Sequence, residues 1–113
     1  RGDPQHEEQN LMFSVLDYIE HHYQNGTLAE ISELSHLPTY QVSRMLKKRT
    51  GKNFKELLQL RRLQQAAYLL QNTTLSIDKI IVHIGYENSS YFYRVFREKY
   101  GCSPSEYRLH PSL

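Results

Sequence analysis

Two arginines, Arg44 and Arg94, stand at the same place in a sequence pattern that the chain uses twice. The second copy follows the first by fifty positions and keeps an apolar residue, a basic residue and a glycine at matched spacing: Leu46, Lys47 and Gly51 after Arg44, and Phe96, Arg97 and Gly101 after Arg94. An arginine can donate two hydrogen bonds at once to the edge of a guanine base, and a basic side chain one turn later suits a phosphate. The repeat therefore predicts two equivalent cationic sites.

Each arginine falls in a polar stripe if its segment is helical, because residues at i, i+3, i+4 and i+7 share one side of a helix. The two stripes contain the same kinds of side chain: Tyr40, Ser43, Arg44 and Lys47 in the first copy, and Ser90, Tyr93, Arg94 and Arg97 in the second. The opposite sides are apolar and are predicted to pack inward: Val42, Met45 and Leu46, and Phe92, Val95 and Phe96.

A second repeated pattern precedes each stripe. The apolar spacing of residues 28–35 returns at 77–84, forty-nine positions later, so the turn before the second stripe is one residue longer. A period of this kind indicates one supersecondary unit used twice. The unit is a short apolar helix, a turn and a longer helix with a basic face, which is the pattern of a helix-turn-helix.

The chain as a whole is predicted to be all-α, with about seven helices and no strands. Its size favours one domain, residues 1–113, or two tightly joined small ones. Within it we expect a first subdomain at about 5–52, a long linker helix at about 53–71 and a second subdomain at about 73–108.

Capping residues mark most helix ends in the sequence. Besides the start at Asp3, two capping boxes and two further N-caps are predicted: Asn53 with Glu56, Ser103 with Glu106, and Thr27 and Ser76 alone. Gly51 and Gly101 are expected to end the two polar helices, because glycine readily takes a positive φ. The first helix is predicted to begin at Asp3-Pro4, and the last five residues, 109–113, are predicted to be frayed.

Apolar stripes predict which sides of the first two helices are buried. In the first helix the stripe is Met12, Val15, Leu16, Ile19 and Tyr23. In the second helix it is Leu28, Ile31 and Leu34.

Charge is distributed unevenly along the chain. Residues 1–43 have a net charge of −6 and residues 44–113 a net charge of +8, and eight basic residues between positions 44 and 62 face a single acid, Glu56. Such asymmetry indicates a polyanionic partner for one surface. Charge alone does not say which polyanion.

Several other classes of protein are disfavoured. The single cysteine, Cys102, excludes an internal disulfide, and no apolar run approaches the roughly 20 residues that a membrane helix needs. No glycine-rich phosphate loop or nucleophile elbow is present, so an enzyme is not predicted, and neither is a cofactor. The neighbours His21 and His22 point different ways on a helix, so no metal site is predicted.

The sequence resembles the DNA-binding domain of the AraC/XylS family of bacterial transcription regulators. The second half carries the longest match: Ile80-Ile81-x-x-Ile84-Gly85-Tyr86-x-x-Ser89-Ser90-Tyr91-Phe92-x-Arg94-x-Phe96-x-x-x-x-Gly101-x-Ser103-Pro104-x-x-Tyr107-Arg108. The first half and the linker helix agree more sparsely: Ser43 to Lys48, Gly51, Arg62, Ala66, Leu69 and Leu70. Ser32 and Ile81 stand where the family usually has a small alanine, and Gln41 stands where an aromatic residue is common.

The resemblance implies two homeodomain-like helix-turn-helix subdomains joined by a linker helix. It also implies a further domain outside this chain that senses a ligand or dimerises. The start at Arg1 without an initiator Met favours a piece of something longer. We expect this piece to be monomeric and cytoplasmic, without membrane contact, within a regulator that could dimerise and touch RNA polymerase.

We predict that the recognition helices, at about 39–50 and 89–100, enter successive major grooves of double-stranded DNA. A linker of about 18 residues rises about 27 Å, which is comparable with the roughly 34 Å repeat of the groove. Because the copies are unequal, the site should be asymmetric and about two helical turns long. Candidate base-reading residues are Tyr40, Ser43, Arg44, Ser89, Ser90, Tyr93 and Arg94. Candidate phosphate contacts are Thr39, Lys47, Lys48, Asn88 and Arg97.

The alternative hypothesis is an all-α interaction module whose basic face binds an acidic protein or RNA.

Arg62 lies among apolar residues of the linker helix and is predicted to have a structural or phosphate-binding role rather than a base-reading one.

Overall fold

The computed structural model describes residues 4–110, with side chains described from residue 6 onward. Within that range there are seven α-helices and no strands, which confirms the predicted fold class. The helices are α1 (Pro4–His22), α2 (Leu28–Ser35), α3 (Thr39–Thr50), α4 (Phe54–Asn72), α5 (Ile77–His83), α6 (Ser89–Tyr100) and α7 (Pro104–Leu109). The predicted N-cap at Asp3 and the end of the predicted frayed tail, residues 111–113, lie outside the described residues.

The chain divides into two compact units, and the division falls inside α4, between Arg61 and Arg62. The first part of α4 therefore packs with α1 to α3, and the remainder packs with α5 to α7. No helix among residues 4–110 is both long enough and apolar enough to cross a membrane.

The core of the first unit is formed by one side of each of its helices. It contains Met12, Val15, Tyr18, Ile19, Ile31, Val42, Met45, Leu46, Phe54 and Leu58. The inward faces of α1 and α3 are therefore largely those predicted from periodicity, and Leu46 is fully buried.

Two predicted core residues, Leu16 and Leu34, are instead exposed, by 47% and 68%. Leu16 follows Val15 by one residue, so its side chain points about 100° away around the helix. Leu34 follows Ile31 by three residues, which falls about 60° short of a full turn. The repeated step of three from Leu28 therefore carries the stripe away from the core.

Tyr18 takes a place in the core that the apolar stripe did not predict. Its side chain is 7% exposed, and its hydroxyl donates a hydrogen bond to the Glu30 carboxylate. The same hydroxyl accepts a hydrogen bond from the Thr27 N–H at 2.9 Å. The phenol thus satisfies backbone at the start of α2 while its ring fills space between α1 and α2.

The turn between α2 and α3 is closed by backbone and hydroxyl hydrogen bonds. His36 adopts the left-handed conformation with φ 58°, and the Leu37 N–H donates to the Ser32 carbonyl at 3.2 Å. The Ser32 hydroxyl donates back to the Leu37 carbonyl. These bonds fix the direction in which α3 leaves α2, and that direction sets which side of α3 faces solvent.

The corresponding turn in the second unit uses a different solution. Gly85 takes φ 99°, and the Tyr86 N–H donates to the Ile81 carbonyl at 3.1 Å. Ile81, the bulky replacement for a small residue, is 4% exposed and belongs to the core. An apolar side chain thus stands where the first unit places the hydroxyl of Ser32.

A cluster of aromatic rings surrounds Phe96 in the second unit. Phe96 is fully buried, and its ring centroid lies 4.6 Å from that of Tyr100 and 5.6 Å from those of Phe92 and Tyr107. Cys102 is buried in the same unit as a free thiol.

Arg108 closes the end of α4 in the same unit. Its guanidinium donates to the Leu70 carbonyl at 3.0 Å and to the Thr73 carbonyl at 3.2 Å. The last carbonyls of a helix lack intrahelical partners, so this arginine stabilises the junction between α4 and α5.

The predicted caps are confirmed. Reciprocal hydrogen bonds join Asn53 with Glu56 at 2.8 Å, and Ser103 with Glu106 form a second capping box. Gly51 and Gly101 end α3 and α6 with φ 76° and 77°. Ser76 accepts from the Lys79 N–H at 3.2 Å, as expected for an N-cap.

Tyr86 provides a test of how this core tolerates a polar group. Its side chain is 8% exposed, and its hydroxyl finds no hydrogen-bond partner in the described part of the chain. Burial raises the pKa of Tyr86 to about 12. Above a pH of about 10, the ordinary pKa of tyrosine, the unfolded chain begins to lose the Tyr86 proton while the folded protein retains it. The free energy of unfolding therefore falls as pH rises from about 10 towards 12.

We expect Tyr86→Phe to leave stability at pH 8 unchanged or to raise it by about 1 kcal/mol, because an unsatisfied buried hydroxyl is removed. The variant should also lose stability less steeply than the parent between pH 8 and pH 11. Urea unfolding of both proteins at the two pH values measures this difference. Equal losses in the two proteins would contradict the assignment of the alkaline sensitivity to Tyr86.

Candidate nucleic-acid interface

Helix α3 presents its polar stripe to solvent. Tyr40 is 62% exposed, Arg44 and Lys47 are exposed, and Ser43 is partly buried. The Arg44 guanidinium carbon lies 5.5 Å from the centre of the Tyr40 ring, within the range of a cation–π contact. The tyrosine therefore orients the arginine along the outer face of the helix.

Helix α6 presents the equivalent stripe in the second unit. Ser89, Ser90, Arg94 and Arg97 are exposed, and Tyr93 is 40% exposed. Ring contact with Phe92, at 5.8 Å between centroids, places Tyr93 at the edge of the core rather than fully outside it. Each unit thus brings its own predicted side chains together on one exposed helix face.

Arg94 has two neighbours on its own helix that sequence reasoning did not single out. Its guanidinium carbon lies 4.9 Å from the centre of the Tyr91 ring, and its Nη1 lies 3.4 Å from Oε2 of Glu98. The i,i+4 spacing of Arg94 and Glu98 was visible in the sequence and could have predicted the pair. Arg97 has an acidic partner on the next helix, with its Nη2 3.6 Å from Oε1 of Glu106 in α7.

The acidic N-terminal segment does not lie apart from the basic segment that follows it. Glu8 of α1 accepts a 2.7 Å hydrogen bond from Nε of Arg49 and lies 3.7 Å from Nζ of Lys48. The hydrogen bond from Arg49 lowers the pKa of Glu8 below that of an exposed glutamate. Within the first unit, acidic α1 therefore partly neutralises the positive charge of α3. The Glu8 carboxylate offsets part of the charge of Lys48 as well as that of Arg49.

Helix α4 contributes a further internal ion pair to the first unit. Arg61 Nη2 lies 2.9 Å from Oε2 of Glu20, and its guanidinium carbon lies 5.3 Å from the centre of the Tyr23 ring.

In the second unit Arg62 is partly buried, and its guanidinium carbon lies 5.3 Å from the centre of the Tyr86 ring. Burial lowers the pKa of Arg62 below that of an exposed arginine, but the residue remains a cation at neutral pH. Its packing is the structural role that the sequence predicted for it as one of two options.

The N-termini of the two exposed helices differ in how they are capped. Pro38 precedes α3 without a side-chain cap, and Thr39 is exposed as the first helical residue. Asn88 caps α6, because its Oδ1 accepts a 3.0 Å hydrogen bond from the Tyr91 N–H. Helix N-termini present N–H groups and a positive dipole to anions. Thr39 and Asn88 are therefore in suitable positions for phosphate, although the carbonyl of Asn88 already has a partner.

The histidines form no metal site in the described residues, where no group of three or more His, Cys, Asp or Glu side chains could hold a metal ion. His21 lies 3.5 Å from Asp17, and the His22 ring stacks on Tyr18 at 4.7 Å.

Two helix-turn-helix units, each with an exposed helix that carries a cation in the middle of a polar stripe, define a DNA-binding domain of the helix-turn-helix class. A family model described as a helix-turn-helix domain matches residues 31–110. The chain belongs to this family, in its AraC type.

Known proteins of the same type resemble the chain in sequence and fold. The HTH-type transcriptional activator RhaR of Mannheimia succiniciproducens is 38% identical over 81 residues, which are 72% of this chain and 29% of that protein. The C-terminal domain of AraT, a response regulator from Geobacillus stearothermophilus, superposes with a TM-score of 0.78 at 33% identity, covering 87% of this chain and 83% of that one. The DNA-binding domain of AdpA, solved in complex with a target DNA, shares the fold with a TM-score of 0.77 at 22% identity, covering 91% and 97%. The chain thus spans less than a third of the length of its RhaR relative.

Proposed function

We propose that this chain is the promoter-reading part of a bacterial transcription regulator, with α3 and α6 lying in successive major grooves of one duplex. The observation that carries the proposal is the matched exposure of Arg44 and Arg94, each on the outer face of the second helix of its unit. The duplication within a single chain supports an asymmetric site of about two helical turns, because one chain supplies two unequal reading helices.

Base reading is assigned to the residues near the N-terminal end and middle of each exposed helix. Arg44 and Arg94 each donate a pair of hydrogen bonds to a guanine, and Tyr40 and Tyr93 pack on thymine methyl groups or sugars. Three serines complete the set: Ser43, Ser89 and Ser90. The exposure of Tyr40 supports its role more strongly than the half-covered ring of Tyr93 supports the equivalent role in α6.

Phosphate contacts are assigned to the helix starts and to the cations further along. Lys47 and Arg97 lie one turn beyond the reading arginines, and Thr39 and Asn88 lie at the helix starts. Lys48 makes a weaker contact than Lys47, because Glu8 lies within 3.7 Å of its ammonium.

The wider setting belongs to the same proposal. We expect a ligand-sensing or dimerising domain elsewhere in the regulator, contact with RNA polymerase, and a cytoplasmic location, with this chain itself monomeric and acting by binding rather than by catalysis. The greater length of the RhaR relative supports a further domain. Co-purification of the full-length gene product with RNA polymerase, and its mass in solution, test these points.

Selection of bound duplexes from a random pool tests the central proposal. We expect one asymmetric consensus of about two helical turns, with a guanine in each half, and affinity that falls steeply as salt rises. Preference for single-stranded RNA or an acidic protein over every duplex would contradict the proposal and favour an interaction module instead.

Lys47→Ala should weaken binding to all duplexes alike, because a phosphate contact carries no sequence information. The slope of log affinity against log salt should fall in magnitude by about 0.9, the value of one phosphate contact. Affinities for the selected and for a scrambled duplex at several salt concentrations measure both effects. A loss confined to the selected duplex would place Lys47 at a base instead.

A further inference from the structure

The two exposed helices carry opposite charges at one matched position. The fifty-residue repeat aligns Lys48 of α3 with Glu98 of α6, four residues after Arg44 and Arg94 respectively. The two reading arginines therefore have different surroundings, although the stripes themselves are alike.

Arg94 is held between an aromatic ring and a carboxylate. Tyr91 lies on one side, with 4.9 Å from its ring centre to the guanidinium carbon, and Oε2 of Glu98 lies 3.4 Å from Nη1. Both members of the pair are about 60% exposed. An exposed pair of this kind adds little to folding stability, so a variant that lacks the Glu98 charge should keep the fold.

Arg44 has the aromatic neighbour but not the acid. Tyr40 lies 5.5 Å away, and among residues 4–110 no carboxylate forms an ion pair with Arg44 or Lys47. The carboxylate of Glu8 in α1 pairs with Arg49 and Lys48 of α3 instead. The first unit thus presents its reading cation with full positive charge.

Charge and hydrogen-bond donors have different consequences on DNA. Positive charge attracts phosphates at any sequence, whereas donor geometry distinguishes one base from another. Glu98 offsets the charge of Arg94 but engages only Nη1, and a guanidinium has five N–H donors. Nε and Nη2 therefore stay available for the two acceptors of a guanine edge.

We propose that Glu98 is a specificity-determining residue that acts by positioning Arg94: it suppresses the attraction of Arg94 to phosphates while leaving its guanine-reading donors in place. The inference rests on the proposed base-reading role of α6. It gives the two units different tasks. The first unit still reads a base through Arg44 but supplies the larger share of the sequence-independent affinity, and the second unit supplies the larger share of the discrimination between sites.

Glu98→Gln tests the proposal, with the duplex selected by the parent protein and a scrambled duplex of the same length as probes. We expect the ratio of the two affinities to fall severalfold, chiefly through tighter binding to the scrambled duplex. Binding to that duplex should also weaken about threefold more between 50 and 200 mM salt than it does for the parent, which is the effect of about one added phosphate contact. An unchanged ratio and an unchanged salt dependence would overturn the proposal.

Two further variants separate this mechanism from a general change of charge. Lys48→Gln removes a charge at the matched position of α3 and should weaken both duplexes alike, leaving the ratio intact. In an Arg94→Ala background, Glu98→Gln should no longer change the ratio, because the residue through which Glu98 acts is gone. A ratio that still falls in that background would show that Glu98 does not act through Arg94.

The same measurements distinguish this inference from the proposed function. If the parent protein shows no preference for any duplex, the proposed function fails. If the parent is selective and Glu98→Gln keeps that selectivity, only the role of Glu98 fails. Circular dichroism of each variant shows whether the fold is retained, as the exposure of Glu98 leads us to expect.

Discussion

Replacing Arg44 and Arg94 together by alanine should abolish selective DNA binding while leaving the protein folded. Each bidentate contact with guanine contributes about 1–3 kcal/mol of discrimination, so the pair should cost about 2–6 kcal/mol. That loss corresponds to a reduction in affinity of about thirtyfold to twenty-thousandfold. The selected duplex would then bind little better than a scrambled one. Fluorescence anisotropy at one fixed salt concentration, with both duplexes, measures the change.

The control for this experiment must remove two positive charges without touching either stripe. Lys52→Ala combined with Lys79→Ala does so, since both side chains are exposed and neither belongs to α3 or α6. We expect this control to keep its preference for the selected duplex and to lose affinity modestly for both. If the double arginine variant retained the sequence preference of the parent, α3 and α6 would not be the reading helices.

Phe96→Ala should unfold the second unit or bring it close to unfolding. Its ring is fully buried against Phe92, Tyr100 and Tyr107. Removing a buried phenylalanine costs about 3–5 kcal/mol, a large part of the 5–15 kcal/mol that typically stabilises a domain. Urea unfolding followed by circular dichroism measures the loss.

Leu46 is the matched position in the first unit, and Leu46→Ala should cost about 2–5 kcal/mol there. Val82→Ala is the surface control, because Val82 is 74% exposed and should change stability by less than about 0.5 kcal/mol. A cost below 1 kcal/mol for Phe96→Ala would mean that the aromatic cluster does not hold the second unit together.

The features of this fold that were predicted correctly from the sequence have local causes. The ends of α3 and α6 follow from Gly51 and Gly101, which take positive φ. The starts of α4 and α7 follow from Asn53 and Ser103, whose N–H groups donate to acids three residues later. The inward faces of α3 and α6 follow from the 3.6-residue period. Each of these signals lies within one helical turn, so a single sequence contains it.

What the sequence did not reveal depends on partners that lie far apart in the chain. Glu8 and Arg49 are separated by 41 positions, and no short-range pattern joins them. Tyr18 was missed in the core because its burial depends on a hydroxyl that meets Glu30 and Thr27 of the next helix. Leu34 was misplaced because α2 is short, so a small phase error moves its last turn out of the core. Glu98 is different, because its i,i+4 spacing from Arg94 is a short-range pattern that the sequence contains.

The buried thiol of Cys102 allows the opening rate of the second unit to be measured by chemical modification. It is the only cysteine in the sequence, and it is 8% exposed within the second unit. An aromatic disulfide reagent can modify it only when that unit opens, so the rate of modification at high reagent concentration reports the opening rate without any introduced label. The same reaction, followed with and without a bound duplex, would time how long α6 and its neighbours stay closed on DNA.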